Sequence, residues 1–231
     1  MLGYTVGLVL HVTNIYNMIA FYKGDVLNDP EVKRFHDNQF RFLTIWNVYM
    51  QVIYMALGLS CDVLTLTNQG KDSSLLKSLK TIRDPLFTNI VMPFSITVSL
   101  TFWTIYTYDG ALILPPSVDK TITTTSNHIM HTYIAPLVLW EILFRPRKRP
   151  ETHLGNLLMI NLYAAFYLVV IIVGYLEQGL WVYPIMDQLH GTIYFYGVVG
   201  VPLITTNVAY ILQWYLTDLI WKGDGNRKKV L

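Results

Sequence analysis

The chain has 231 residues, of which 53% are hydrophobic and only 14% charged. A soluble domain carries about a quarter charged residues, so the composition excludes an ordinary water-soluble globule and points to the bilayer. A net charge of +2 excludes a nucleic-acid binder built on a basic surface, and a lone cysteine, Cys61, excludes an intrachain disulfide and a cysteine-based metal cage.

Six hydrophobic spans are predicted, giving an all-α, polytopic membrane protein with one transmembrane domain over residues 1–231. The first covers residues 3–22. It lacks a basic n-region and a small-x-small cleavage site, so it reads as a retained helix rather than a removed signal. His11, Asn14 and Asn17 at i, i+3 and i+6 form one polar stripe, expected to face partner helices. Residues 23–39 read as a polar loop. The second span, 40–66, carries Thr44, Asn47 and Gln51 on one face with Gly58 further down, a face expected to point inward. Asp62 lies near its cytoplasmic end, in reach of water or a cation. Residues 68–84 read as a polar connection.

The third span is predicted from Pro85, a fitting first helical residue, to Tyr108, kinked at Pro93. Trp103, Tyr106 and Tyr108 are expected to form an interfacial belt. After a loop at 109–125 comes the fourth span, 126–144, opened by the histidines His128 and His131 and closed by Arg145, Arg147, Lys148 and Arg149. Glu141 and Arg145 at i, i+4 are expected to form a snorkelling ion pair. The fifth span, 155–176, leads to a loop in which Trp181, Tyr183 and Pro184 are expected to brace the outer surface, with Asp187 and His190 as further candidates to line a site. The sixth, 191–220, contains Gly197, Gly200, Pro202 and Asn207, which favour close packing and a kink. Under this six-span reading, twelve of the 17 Lys and Arg residues fall on one side, which makes that side cytoplasmic and places both termini there. The terminal K-K-V-L, Lys228 to Leu231, approximates a dilysine retrieval pattern, so the expected location is the endoplasmic reticulum or the plasma membrane.

That orientation aligns two chemical groups. Thr44 lies about four residues, and His131 about five, inside the outer ends of their spans, so both sit roughly 6–8 Å below the same face. A hydroxyl is a poor nucleophile until a base takes its proton, and an imidazole is that base near neutral pH. Acyl transfer also needs donors for an oxyanion, for which Asn47, Asn127 and His128 are the candidate side chains. The competing readings are hydrogen bonds that merely join helices, a metal held by His128 and His131, or a haem between His11, His131 and His190. No H-E-x-x-H box, Gly-rich phosphate loop or G-x-S-x-G elbow is present, so no metal and no cofactor is expected.

Several motifs carry a resemblance: F-L-T at Phe42 to Thr44, I-R-D at Ile82 to Asp84, F-W-T-I-Y-T-Y-D at Phe102 to Asp109, N-H-I-M-H-T at Asn127 to Thr132, and G-L-W-V-Y-P at Gly179 to Pro184. Their order and spacing resemble the family of the androgen-induced and androgen-dependent TFPI-regulating proteins, from about Arg41 to Trp221. The resemblance implies a multi-pass hydrolase that cleaves fatty acid esters of hydroxy fatty acids, with an essential Thr on Thr44 and an essential His on His131. It further implies a lipid substrate that enters from the bilayer. The reading from a different class is a non-catalytic bundle that binds a lipid or protein partner in signalling.

Overall fold

The structure, a computed structural model, describes residues 1–21, 24–67 and 74–221. The basic tail from Lys222, with its K-K-V-L ending, and the loop residues Lys23 and Lys71 lie outside the described residues. Those described form helices and turns, with no strand among them. In chain order the α-helices are α1 (Leu2–Phe21), α2 (Pro30–Asn38), α3 (Leu43–Leu66), α4 (Ser74–Leu86), α5 (Met92–Tyr108), α6 (Pro116–Asp119), α7 (Thr124–His131), α8 (Ile134–Phe144), α9 (Leu154–Gln178), α10 (Pro184–Leu189) and α11 (Tyr194–Trp221). Four helical stretches, 43–66, 74–108, 154–178 and 194–221, are long and apolar enough to cross a membrane, by length and composition. The outward faces of α9 and α11 expose Leu162, Phe166, Val169 and Leu212, while polar side chains such as Gln51, Ser95 and Thr206 are buried inside. Polar groups turned in and large apolar ones turned out is the arrangement hydrocarbon demands.

The loop between the first two spans contains a helix. Asp29 caps α2 by accepting from the N–H groups of Glu31 (2.8 Å) and Val32 (3.2 Å). Val32 and Phe35 then pack with Phe42, Ile45, Phe102, Ile113, Leu114 and Val118 into an apolar roof over one end of the bundle.

The third span begins earlier than Pro85. The helix reaches back to Ser74, and Pro85 sits inside it. Residues 87–91 form a π-turn ahead of Pro93, with the Met92 N–H donating to the Phe87 carbonyl. Pro93 offers no N–H to the carbonyl four residues back and crowds it; a widened turn at that point relieves both. The fourth span is broken in two. Thr132 and Tyr133 both donate to the His128 carbonyl (2.8 and 2.9 Å), ending α7, and α8 starts at Ile134. Pro136, four residues after Thr132, prevents the regular helical bond to the Thr132 carbonyl. Tyr108 is exposed, whereas Trp103 donates to Thr132 Oγ1 (3.0 Å) and the Tyr106 hydroxyl to Asp119. Gly179, at φ 71°, closes α9 in the left-handed conformation that favours glycine.

Helices α1 and α3 pack closely at the end opposite the roof. A Cβ at Gly58 would lie 2.5 Å from the Tyr4 ring, closer than van der Waals contact allows. Gly58→Ala is therefore expected to destabilise the protein by about 1–3 kcal/mol through overpacking. Thermal unfolding in detergent checks this, and an unchanged midpoint would show that Tyr4 yields freely. At the same end Asp62 pairs with Arg145 and with the Met1 ammonium (2.5 Å), Arg149 with Asp218 (3.2 Å), and Trp221 Nε1 donates to the Ile142 carbonyl (3.0 Å). The start of α1 and the ends of α3, α8 and α11 thus meet. The expected i, i+4 pair of Glu141 and Arg145 is present, and a second arginine stands closer. Glu141, 1% exposed, is met by Arg147 at 2.6 Å, with Arg145 Nε at 3.6 Å.

Candidate active site

Thr44 rides on the first turn of α3, where a 3₁₀ turn at Gln39–Arg41 feeds the helix. His131 is the last residue of α7, directly before the break imposed by Pro136. Thr44 Oγ1 lies 3.1 Å from His131 Nε2. The imidazole is 4% exposed and stacks on Phe102, ring centroids 3.5 Å apart at 8°. Its other nitrogen, Nδ1, lies 2.7 Å from Asn127 Oδ1 and 3.1 Å from the Asn127 carbonyl. A carbonyl only accepts, so Nδ1 carries the ring proton, and Nε2 is left as acceptor for the Thr44 hydroxyl. The three residues form a chain of hydroxyl, imidazole and orienting acceptor, a geometry that acyl-transfer sites on many folds share.

Both Thr44 and His131 line a cavity of about 800 Å³ whose walls are mostly apolar, among them Phe94, Phe102, Met130 and Val198. The lining includes Leu100 of α5 and Val201 of α11, both exposed. Gly197, where a Cβ would meet nothing within 4 Å, widens it from α11.

Two tyrosines that sequence reasoning missed complete the wall. The Leu43 N–H donates to the hydroxyls of Tyr167 (3.1 Å) and Tyr183 (3.2 Å), which are 3.0 Å apart, and Tyr167 donates to the Arg41 carbonyl (3.1 Å). Tyr183 was expected to brace the outer surface; instead it lines the cavity beside the first turn of α3. Burial pushes the pKa of its hydroxyl up, so it stays protonated, and its hydrogen goes to Tyr167, whose own hydrogen is held by the Arg41 carbonyl. Its W-V-Y-P motif was visible, but not which way the ring turned. The Thr44 N–H, one of the first-turn amides of α3, has no acceptor among the described residues.

The remaining candidates lie elsewhere. Asn47 does not line the cavity; its Oδ1 accepts from Ser95 Oγ (3.0 Å) behind the cavity wall. Asn127 orients His131 rather than facing the cavity. His128 bonds Thr132 Oγ1 through Nδ1 (2.9 Å) and stacks on Trp103, away from the cavity. Asp187 Oδ1 accepts from the Trp181 N–H (2.9 Å), and His190 packs among Tyr175, Trp181 and Phe195. His11, His131 and His190 thus stand in three separate environments.

Fold and site together define a helical membrane protein with an oriented hydroxyl–imidazole pair in the wall of a lipid-sized apolar cavity. The chain belongs to the FAR-17a/AIG1-like protein family, which it matches over residues 6–214. It is 35% identical to the androgen-dependent TFPI-regulating protein of Mus musculus over 180 residues, covering 77% of this chain and 76% of the relative. The Homo sapiens protein of that name is 36% identical over the same shares. The androgen-induced gene 1 protein of Homo sapiens is 27% identical over 192 residues, 80% of this chain and 79% of the relative. No solved structure matches the chain.

Proposed function

We propose that this protein is an intramembrane threonine hydrolase that cleaves fatty acid esters of hydroxy fatty acids into a fatty acid and a hydroxy fatty acid. The observation that carries the reading is the 3.1 Å contact between Thr44 Oγ1 and His131 Nε2 at the wall of the apolar cavity. The lipid enters sideways between α5 and α11, where burial of each methylene contributes about 0.8 kcal/mol. With its ester at Thr44, His131 Nε2 takes the hydroxyl proton, Thr44 Oγ1 attacks the carbonyl carbon, and the proton passes to the departing alcohol. The Thr44 N–H, at the positive end of α3, is the donor for the developing oxyanion. The pair lies below the non-cytoplasmic surface of a six-crossing bundle forming one domain, with both termini on the cytoplasmic side.

The direct test is purified protein with an alkyl fluorophosphonate and with such an ester lipid. Phosphonylation mapped to Thr44 and release of both products support the hydrolase. Lipid binding with neither labelling nor turnover would leave a non-catalytic lipid-binding bundle. Chain-length selection gives a second expectation. Gly197→Trp places a large ring in open cavity space and is expected to lower turnover of long acyl chains relative to short ones. Excluding two methylenes at about 0.8 kcal/mol each shifts that ratio by about tenfold. An equal loss for all chain lengths would show that Gly197 does not border the acyl chain.

A further inference from the structure

Behind the catalytic wall runs a polar seam that the acylation chemistry does not use. On α3, Asn47 follows Thr44 by one turn, on the same helical face, and Gln51 follows Asn47 by another. Gln51 Nε2 donates to Ser95 Oγ of α5 (2.9 Å), which in turn reaches Asn47 Oδ1 (3.0 Å). His11 of α1 faces Gln51. Asn47, Gln51 and His11 are 3%, 0% and 0% exposed. Yet among the described residues Asn47 Nδ2 has no hydrogen-bond partner, and Gln51 Oε1 and the His11 ring, though side by side, make no bond of good geometry. An unpaired buried polar group costs about 1–3 kcal/mol, and here donors and acceptors gather at one place. That combination is what a buried water satisfies, since it makes about three bonds to such groups.

We infer that this seam, closed by His11, Asn47 and Gln51, holds the water that hydrolyses acyl-Thr44. The inference rests on the hydrolase reading. The cavity wall is mostly apolar, with Thr97, Thr101, Asn161 and Tyr183 among its polar members. The cavity is filled by the lipid, and the nearer end of the bundle is roofed by Val32, Phe35, Ile113, Leu114 and Val118. Asn47, one turn from Thr44, hands the water to the catalytic pair. The water oxygen attacks the acyl carbon while His131 Nε2 takes one of its protons. The bond between that carbon and Thr44 Oγ1 then breaks, Oγ1 recovers the proton from His131, and the carboxylic acid leaves.

Acylation and water attack respond to different experiments. Fluorophosphonate phosphonylates Thr44 with loss of fluoride and needs no water. In Asn47→Leu, and independently in His11→Phe on another helix, the labelling rate is expected to stay near wild type. Ester turnover is expected to fall about tenfold or more, the scale of losing one buried hydrogen bond to the attacking water. Quenched reactions should then show acyl-Thr44 accumulating by peptide mass. Labelling and turnover that fall together would make the seam a support for Thr44, and turnover unchanged in both variants would make it helix-joining polarity alone; either result overturns the inference while leaving the hydrolase standing. Wild-type protein that neither labels nor hydrolyses removes the hydrolase reading and the inference with it.

Discussion

Thr44→Ala and His131→Ala are each expected to abolish fluorophosphonate labelling and to lower ester hydrolysis by at least about 10³-fold, because nucleophile and base act as a unit and losing either disables the same step. The double variant should be no worse than either single one. Asn127→Leu separates geometry from chemistry. It removes the Oδ1 acceptor 2.7 Å from His131 Nδ1 but leaves the backbone carbonyl at 3.1 Å. A neutral acceptor with a backbone substitute contributes less than a buried carboxylate, whose loss costs about 10⁴ in kcat; the expected fall is on the order of 10²-fold, in kcat with KM unchanged. Folding of each variant is checked by its thermal midpoint. Hydrolysis that persists in Thr44→Ala would remove Thr44 as the nucleophile.

Glu141→Gln is expected to give the largest loss of stability. The carboxylate is 1% exposed and accepts from the Tyr4 hydroxyl (2.7 Å), the Tyr54 hydroxyl and Arg147 Nη2 (2.6 Å). Arg147 also reaches the Tyr54 hydroxyl (2.8 Å) and lies over the Phe87 ring, 3.9 Å from its centroid. Replacing a buried charge by a neutral amide leaves Arg147 desolvated without its counter-ion, a situation that costs about 3–5 kcal/mol. Lys33→Ala, which removes the exposed pair with Asp37, should leave the midpoint unchanged, since water and salt already screen such pairs. Equal midpoints for wild type and Glu141→Gln would show that the network tolerates an uncompensated arginine.

Much of the site was legible as separate pieces. Polar residues recurring every three or four positions along α3 announced an inward face, because a lipid-facing amide is costly. The structure buries Asn47, Gln51 and Gly58 there. Counting residues from the span ends placed Thr44 and His131 at one depth, and their side chains meet. Tyr167 and Tyr183 were not legible as partners of the Leu43 N–H, because they lie 124 and 140 positions away in the chain. The role of Asn127 depended on a helix ending at His131, which an unbroken span from 126 to 144 concealed.

By itself the sequence determined the class: too few charges for water and long apolar runs for helices. Hydropathy and helical period are local properties, so local reading recovers them. The tertiary structure alone decided that Pro136 frees His131 at a helix end, that Arg147 joins Arg145 at Glu141, and that a cavity lies in front of Thr44 and His131. Each of these depends on which distant surfaces come together in the bundle, and no periodicity within a single helix encodes that.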